Sequence, residues 1–288
     1  MAEDKMQQQR FELKYIIKEE VALAVRDFVS CYLEIDEYGA TLPNFSYPVH
    51  SLYLDSDRLD LYWRTINGDK NRYKLRLRYY DANPGSPIFF EIKRRMNNCI
   101  LKQRGGVRKE YISWLLSGHL PEPAHLISDD PKQLVALLRF CQLMHDTHAK
   151  PKMHICYLRE AYVSADDEVR VTMDRQIAAE PHLEFSVKTD MAKPFRSFEN
   201  IVILELKFTN RFPNWFRELV RIFNAMQCGA AKYVSGVGLL GHARLSAHAE
   251  VLEEESLLMN FRPGDDFPTL VRQDKGITPK PWLHKGGS

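Results

Sequence analysis

Nowhere in its 288 residues does this sequence approach eighteen consecutive apolar residues, which excludes a transmembrane helix of ordinary length. Cysteine is scarce: Cys31, Cys99, Cys141, Cys156 and Cys228 are odd in number, widely scattered and without a Cys-x-x-Cys pair. That usage argues against a disulfide framework and a thiolate zinc site, and it fits a reducing compartment. A large charge of either sign is also missing. The formal net charge is +2, whereas nucleic-acid coats are strongly basic throughout. The first ten residues hold no apolar signal-peptide core. The expectation is a soluble, cytoplasmic protein that binds no nucleic acid. No Ser–His or Cys–His arrangement stands out. Gly105-Gly106 lacks the P-loop frame and reads as a turn or bulge, and Gly236-x-Gly238 follows no dinucleotide-binding signature. His145-x-x-His148, at the end of a predicted helix, has no further ligands nearby and reads as a surface or capping pair.

What the sequence has is charge placed with period two. In an extended strand successive side chains point to opposite faces. Lys74, Arg76 and Arg78 therefore share one face, and Leu75, Leu77 and Tyr79 the other. Arg10, Glu12 and Lys14 alternate with Phe11, Leu13 and Tyr15. Glu91 and Lys93 alternate with Phe90 and Ile92, and Lys102 and Arg104 follow. Arg170 and Asp174 alternate with Val169, Val171 and Met173, and Glu205 and Lys207 with Leu204, Leu206 and Phe208. A half-buried antiparallel strand ordinarily turns such residues to water. Here the faces are mainly Arg and Lys, and like charges at about 7 Å and an effective dielectric of about 20 repel by about 2 kcal/mol per pair. A bound polyanion relieves that repulsion. The aromatics Tyr79, Tyr80, Phe89 and Phe90 lie beside these cations, as in base-stacking surfaces. Alternation puts Tyr79 and Phe90 on the apolar side, where core packing is expected.

With 44% hydrophobic residues the chain can bury a substantial core. Strands are predicted at 11–17, 49–54, 73–80, 88–94, 99–104, 154–165, 168–174 and 202–209. Helices are predicted over 18–33, 131–145 and 213–226, with a short one at 59–65. Asp129 or Asp130 can cap the helix opened by Pro131. The three long helices carry apolar stripes that can cover the apolar strand faces, leaving the charged faces inward around a lumen. After about 240 the sequence changes character. A helix over 247–258 and a loop-like tail are expected there.

The ordered segments Arg10-Phe11-Glu12-Leu13-Lys14-Tyr15, Ser51-Leu52-Tyr53-Leu54-Asp55, Lys74-Leu75-Arg76-Leu77-Arg78, Phe90-Glu91-Ile92-Lys93 and Lys102-Gln103-Arg104 resemble the VTC domain. That is the polyphosphate polymerase domain of vacuolar transporter chaperone complexes. The second half is similar too: Tyr157-Leu158-Arg159-Glu160-Ala161-Tyr162, Arg170-Val171-Thr172-Met173-Asp174 and Leu204-Glu205-Leu206-Lys207. The resemblance spans about 10–240. It implies the triphosphate tunnel metalloenzyme fold in residues 1–240: an α+β fold with an antiparallel β-barrel, a charged lumen and helices outside. Residues 241–288 would be a separate tail.

The resemblance implies a nucleotide-dependent polyphosphate polymerase that binds ATP and polyphosphate with Mn2+ or Mg2+. Arg76, Arg78, Lys93 and Arg159 are its expected catalytic residues. Arg10, Lys14, Lys74, Lys102, Arg104, Arg170, Lys207 and Lys232 are expected to hold substrate, and Glu205, with Glu12 and Glu91, the metal. Internal salt bridging is the competing reading of Glu12, Glu91 and Asp174. Related triphosphatases open with Glu-x-Glu-x-Lys; Arg10 stands at the first of those positions, which favours the polymerase branch. The family also tends to carry two lysines near its end, where this chain has Lys232 alone. The alternatives are a metal-dependent triphosphatase or polyphosphatase and a non-catalytic polyphosphate binder. A membrane-protein partner that receives the product fits the family's habit. Loss of Arg76 or Arg78 is expected to leave stability unchanged or higher, because it relieves like-charge repulsion.

Overall fold

Charged and apolar residues alternate along long stretches of this chain, and those stretches become strands. The structure, a computed structural model, describes residues 10–246 apart from 98 and 199. In chain order the elements begin β1 (Arg10–Lys18), α1 (Glu19–Val29), β2 (Glu34–Ile35), β3 (Ser46–Asp55), α2 (Asp60–Ile66), β4 (Asn71–Tyr79), β5 (Ile88–Met96) and β6 (Cys99–Val107). They continue with α3 (Ile112–Leu116), α4 (Pro131–Asp146), β7 (Lys150–Val163), β8 (Val169–Pro181), β9 (Phe195–Arg196), β10 (Ile201–Thr209), α5 (Asn214–Ile222) and α6 (Lys232–Leu240). Asp130 caps α4 by accepting the Lys132 amide at 3.0 Å, with Pro131 opening the helix.

Two local expectations are corrected. Gly105 and Gly106 lie inside β6, not in a turn. A Cβ on Gly105 would come within 2.8 Å of the Gln133 carbonyl oxygen, so glycine there lets α4 approach the sheet. The helix expected over 213–226 ends at Ile222, and Asn224 takes a positive φ of 44°. The helices α3 and α6 were not foreseen: α3 is too short to show a period, and Gly236 and Gly238 disguise α6. The helix expected at 247–258 lies outside the described residues.

Antiparallel pairing runs in the order β2-β7-β3-β4-β5-β6-β1-β10-β8-β9, and β7 also pairs with β8. The sheet therefore curls back on itself. One seam stays nearly open, since β6 and β1 share a single bridge, Arg10 with Ile100. The α+β fold with a wrapped antiparallel sheet is as expected, but the sheet is strongly curled and is not a barrel closed by full ladders.

The two faces of the sheet differ as alternation dictates. On the convex side Leu52, Leu54, Leu75, Leu77, Phe90 and Ile92 pack beneath Ile112, Leu115, Leu137 and Phe140 of α3 and α4. Farther round, Tyr15, Val171, Met173, Leu204 and Leu206 pack against Ala22, Val25 and Val29 of α1 and Phe216 and Leu219 of α5. Each fully buried side chain of this size contributes about 1.5–3 kcal/mol. Arg26 of α1 adds a fork to the buried Glu160 of β7, at 2.7 and 3.0 Å. On the concave side, side chains from strands that are not neighbours touch. Lys93 of β5 reaches Glu12 of β1 at 2.8 Å, and Arg78 of β4 reaches the Tyr157 hydroxyl of β7 at 2.9 Å. α6 packs against this inner face, with Gly236 seated on Met153, Ile155 and Ala179. Leu245, just beyond α6, is buried in the same cluster.

Candidate functional site

Register sets the inner face row by row. Tyr53, Arg76, Glu91 and Arg104 lie opposite one another across β3, β4, β5 and β6, and Lys74, Lys93 and Lys102 form the next row. On the other wall Glu12, Lys207 and Arg170 align, then Lys14, Glu205 and Thr172, while Arg159 faces Asp174. Lys232 enters from the first turn of α6. The structure thus brings together the expected Glu12, Lys14, Lys74, Arg76, Arg78, Glu91, Lys93, Lys102, Arg104, Arg159, Arg170, Glu205, Lys207 and Lys232. Arg10 sits at the start of β1, opposite Thr209.

Three ion-pair nests organise these charges. In the first, Arg76 Nε and Nη2 donate to Glu91 Oε2 at 2.8 and 2.7 Å, and Lys102 Nζ lies 2.7 Å from Glu91 Oε1. In the second, Glu205 meets Lys14 at 2.5 Å, Lys207 at 2.6 Å, Arg159 at 3.4 Å and Lys232 at 3.6 Å. Lys14 also reaches Glu12 at 3.2 Å, which in turn holds Lys93. In the third, Asp174 takes both prongs of Arg159 at 2.7 and 2.8 Å and the Lys232 ammonium at 2.5 Å. The loop residue Asp36 pairs with Arg170 at one end of the channel. The named cations still outnumber the carboxylates about two to one. The buried Arg78 Nε has no hydrogen-bond partner.

This crowding moves proton affinities. Burial raises the Glu205 carboxyl, but Lys14, Lys207, Lys232 and Arg159 outweigh it and hold the group well below the usual carboxylate range. Asp174 ends at about 2: burial opposes the shift, and Arg159 and Lys232 drive it. Desolvation brings Lys74 down to about 8 and Lys207 down to about 7, in the second case despite Glu205. Burial would raise the Tyr53 hydroxyl, yet Arg76, Lys74 and Arg78 bring it to about 7. An empty channel is therefore short of negative charge.

Tyr53, Tyr157, Asp36 and Thr172 also belong to the site, although none was assigned to it from sequence. Tyr53 accepts from Arg76 Nη1 at 3.2 Å, and the Tyr157 ring lies beneath Arg159 and Lys232 at 5.2 and 4.7 Å. Alternation carried the signal for the two tyrosines, two positions from Ser51 and Arg159 respectively. Nothing in sequence marks Asp36. As for metal, no three His, Cys, Asp or Glu side chains cluster as a ligand set among the described residues. Glu12 and Glu205 nevertheless offer hard oxygens to one point, the Lys14 ammonium. That chemistry fits Mg2+ or Mn2+.

The sequence model described as the VTC domain matches residues 9–240. The chain belongs to the VTC domain family. It is 32% identical over 133 residues to vacuolar transporter chaperone complex subunit 2 of Schizosaccharomyces pombe, a stretch covering 43% of this chain and 18% of that protein. The chain thus spans less than a fifth of the length of that curated relative. Among solved structures, the PH1819 protein of Pyrococcus horikoshii OT3 is similar with a TM-score of 0.40 and 10% identity, covering 78% of this chain and 96% of that one. The PH1012 protein of the same organism gives 0.36 and 10%, over 75% and 91%. Among the described residues of the VTC domain, no helix is long and apolar enough to cross a membrane.

Proposed function

We propose that this VTC domain binds ATP and polyphosphate in its cationic channel and transfers the terminal phosphoryl group of ATP to the polyphosphate end. The observation that carries the reading is the convergence of Lys14, Arg76, Arg78, Lys93, Arg159, Lys207 and Lys232, from six strands and helices, on one space. In the transfer, a terminal oxygen of the chain attacks the γ-phosphorus and the bond to the β-phosphate oxygen breaks, releasing ADP. Such a reaction needs positioning and charge neutralisation more than a covalent nucleophile. Arg76, Arg78 and Arg159 present planar forks that suit phosphoryl oxygens, and Lys93, Lys14 and Lys207 supply point charges. Arg78 Nε makes no hydrogen bond and lies 4.0 Å from Glu91 Oε2, which leaves it a donor ready for such an oxygen. When phosphate enters, these cations exchange carboxylate partners for phosphate ones.

Glu205, with Glu12, would hold Mn2+ or Mg2+, and the ion would supply further neutralisation of the phosphate charge. Residence in the cytoplasm and a membrane-protein partner that receives the product belong to the same proposal. A second reading, a non-catalytic polyphosphate binder, is favoured by one observation: Glu205 already contacts four cations, which leaves it little free charge for a metal. Incubation of purified protein with ATP and Mn2+ separates the readings. Long-chain phosphate with ADP supports the polymerase, orthophosphate alone a hydrolase, and binding without turnover the carrier.

A further inference from the structure

At one mouth of the channel the inward-facing row changes from cations to aromatics. Along β4 the inward positions run Arg72, Lys74, Arg76 and Arg78, and the next is Tyr80. Phe89 stands opposite Arg78 on β5, and Tyr47 opposite Arg159 on β7. These rings touch in sequence. Tyr38 meets Tyr47 edge-on with centroids 6.2 Å apart, Tyr47 meets Tyr80 at 6.2 Å, and Tyr80 meets Phe89 edge-on at 6.4 Å. The row closes on a cation, with the Arg104 guanidinium 4.7 Å from the Phe89 centroid. Its other end is fixed to the channel as well. Tyr38 donates its backbone amide to Asp36, whose carboxylate holds Arg170. The row is not sealed in a core: Tyr38 is 67% exposed, and Tyr80 and Phe89 are half-buried. At the far end of β4 and β5 the inward positions are Arg72, Lys74, Lys93 and Arg95, all cationic.

A phosphate chain has no use for an aromatic wall, whereas a ligand with a flat ring at one end and phosphates at the other matches both parts of this surface. We propose that Tyr38, Tyr80 and Phe89 form a nucleobase-stacking subsite that seats the nucleoside end of a nucleoside triphosphate at this mouth. The phosphates then run inward past Arg104 and Arg159. The inference rests on the channel reading above and adds what distinguishes a nucleotide from inorganic polyphosphate. Every base has a π-face, so stacking of this kind is tolerant of base identity. The subsite therefore predicts a preference for nucleotides over inorganic triphosphate with little choice among bases.

The test compares two probes without metal, the β,γ-imido analogue of ATP and tripolyphosphate, by calorimetry on the full chain. In Tyr38→Ala and Phe89→Leu the ATP analogue should weaken about tenfold, the scale of losing one stacked base, with tripolyphosphate unchanged. Tyr38 is the variant that cannot be confounded by folding, because its ring is mostly in solvent. Equal weakening of both probes would show that the aromatics only shape the channel, and no change in either would show that no base stacks there; both outcomes overturn the proposal. Failure of the unmodified protein to bind tripolyphosphate refutes the channel reading itself, and the subsite falls with it.

Discussion

Arg76 and Arg78 sit two positions apart on one strand face, yet their removal should have different consequences. Arg76 gives two hydrogen bonds to one oxygen of Glu91, a carboxylate that is 0% exposed. Arg76→Ala leaves that charge buried with only Lys102 and the more distant Arg78, so stability should fall by about 3 kcal/mol. This reverses the sequence-based expectation that loss of the cation relieves strain. Arg78 bonds Ser51 and Tyr157 and leaves the main Glu91 pair intact, so Arg78→Ala should melt closer to the unmodified protein. Each variant should lose turnover by about two orders of magnitude, equivalent to one charge-assisted phosphate contact of about 2–3 kcal/mol. Paired melts and turnover assays check this, and Arg78→Ala melting below Arg76→Ala would refute the assignment. Glu205→Gln belongs at the same scale. It is nearly isosteric and removes the charge shared by Lys14, Lys207, Lys232 and Arg159. The empty protein should melt lower, tripolyphosphate should restore more of that loss than it adds to the unmodified protein, and turnover should vanish. Residue parity was readable because a strand's period is two. The partnership of Arg76 with Glu91 was not, because register is fixed only when strands meet.

The helix α6 does for the channel what no strand can. It delivers Lys232 to Asp174 and Glu205 from inside the curled sheet, held there by Tyr233, which stacks on Tyr53 and donates to the buried Asp55 at 2.8 Å. Gly236 is the point of closest approach, since a Cβ there would lie 2.5 Å from Met153 Sδ. Gly236→Val should therefore lever the helix off the sheet, lowering the melting temperature by several degrees and weakening tripolyphosphate about tenfold as Lys232 withdraws. Unchanged affinity in that variant would remove Lys232 from the site. Sequence reading found Lys232 through the resemblance but missed the helix carrying it, since two glycines in nine residues speak against a helix. The long strands and α4 were legible, by alternation in the strands and by Asp130-Pro131 at the helix start. Gly105 was misread because its reason is α4 on the far side of the sheet.

Over the whole molecule, paired charge makes stability and binding depend on pH in opposite places. Asp174 falls from an ordinary 3.8 to about 2, so it adds stability above about pH 4 that is lost as pH drops through about 2. Acid unfolding should steepen in that window, and Asp174→Asn should flatten it. Lys207 and Lys74 are displaced the other way, to about 7 and about 8 from an ordinary 10.5. They are partly neutral in the empty channel at pH 8, and an arriving phosphate favours their charged forms. Triphosphate binding at pH 8 should therefore take up protons, seen as a buffer-dependent heat, and affinity should fall from pH 6 to pH 9. Chain length should matter too. Thermal stabilisation at matched ionic strength should rise from phosphate to pyrophosphate, triphosphate and polyphosphate as more of the channel is engaged.

Phosphoryl transfer between phosphates can be followed in a single assay. Purified protein is incubated with ATP, a short polyphosphate primer and Mn2+, and the phosphate products are sized while ADP is counted. Phosphate chains should lengthen in step with ADP release, and Arg76→Ala should slow both about a hundredfold. ATP consumed to orthophosphate with no chain growth, or no consumption at all by a protein that binds polyphosphate, would contradict it.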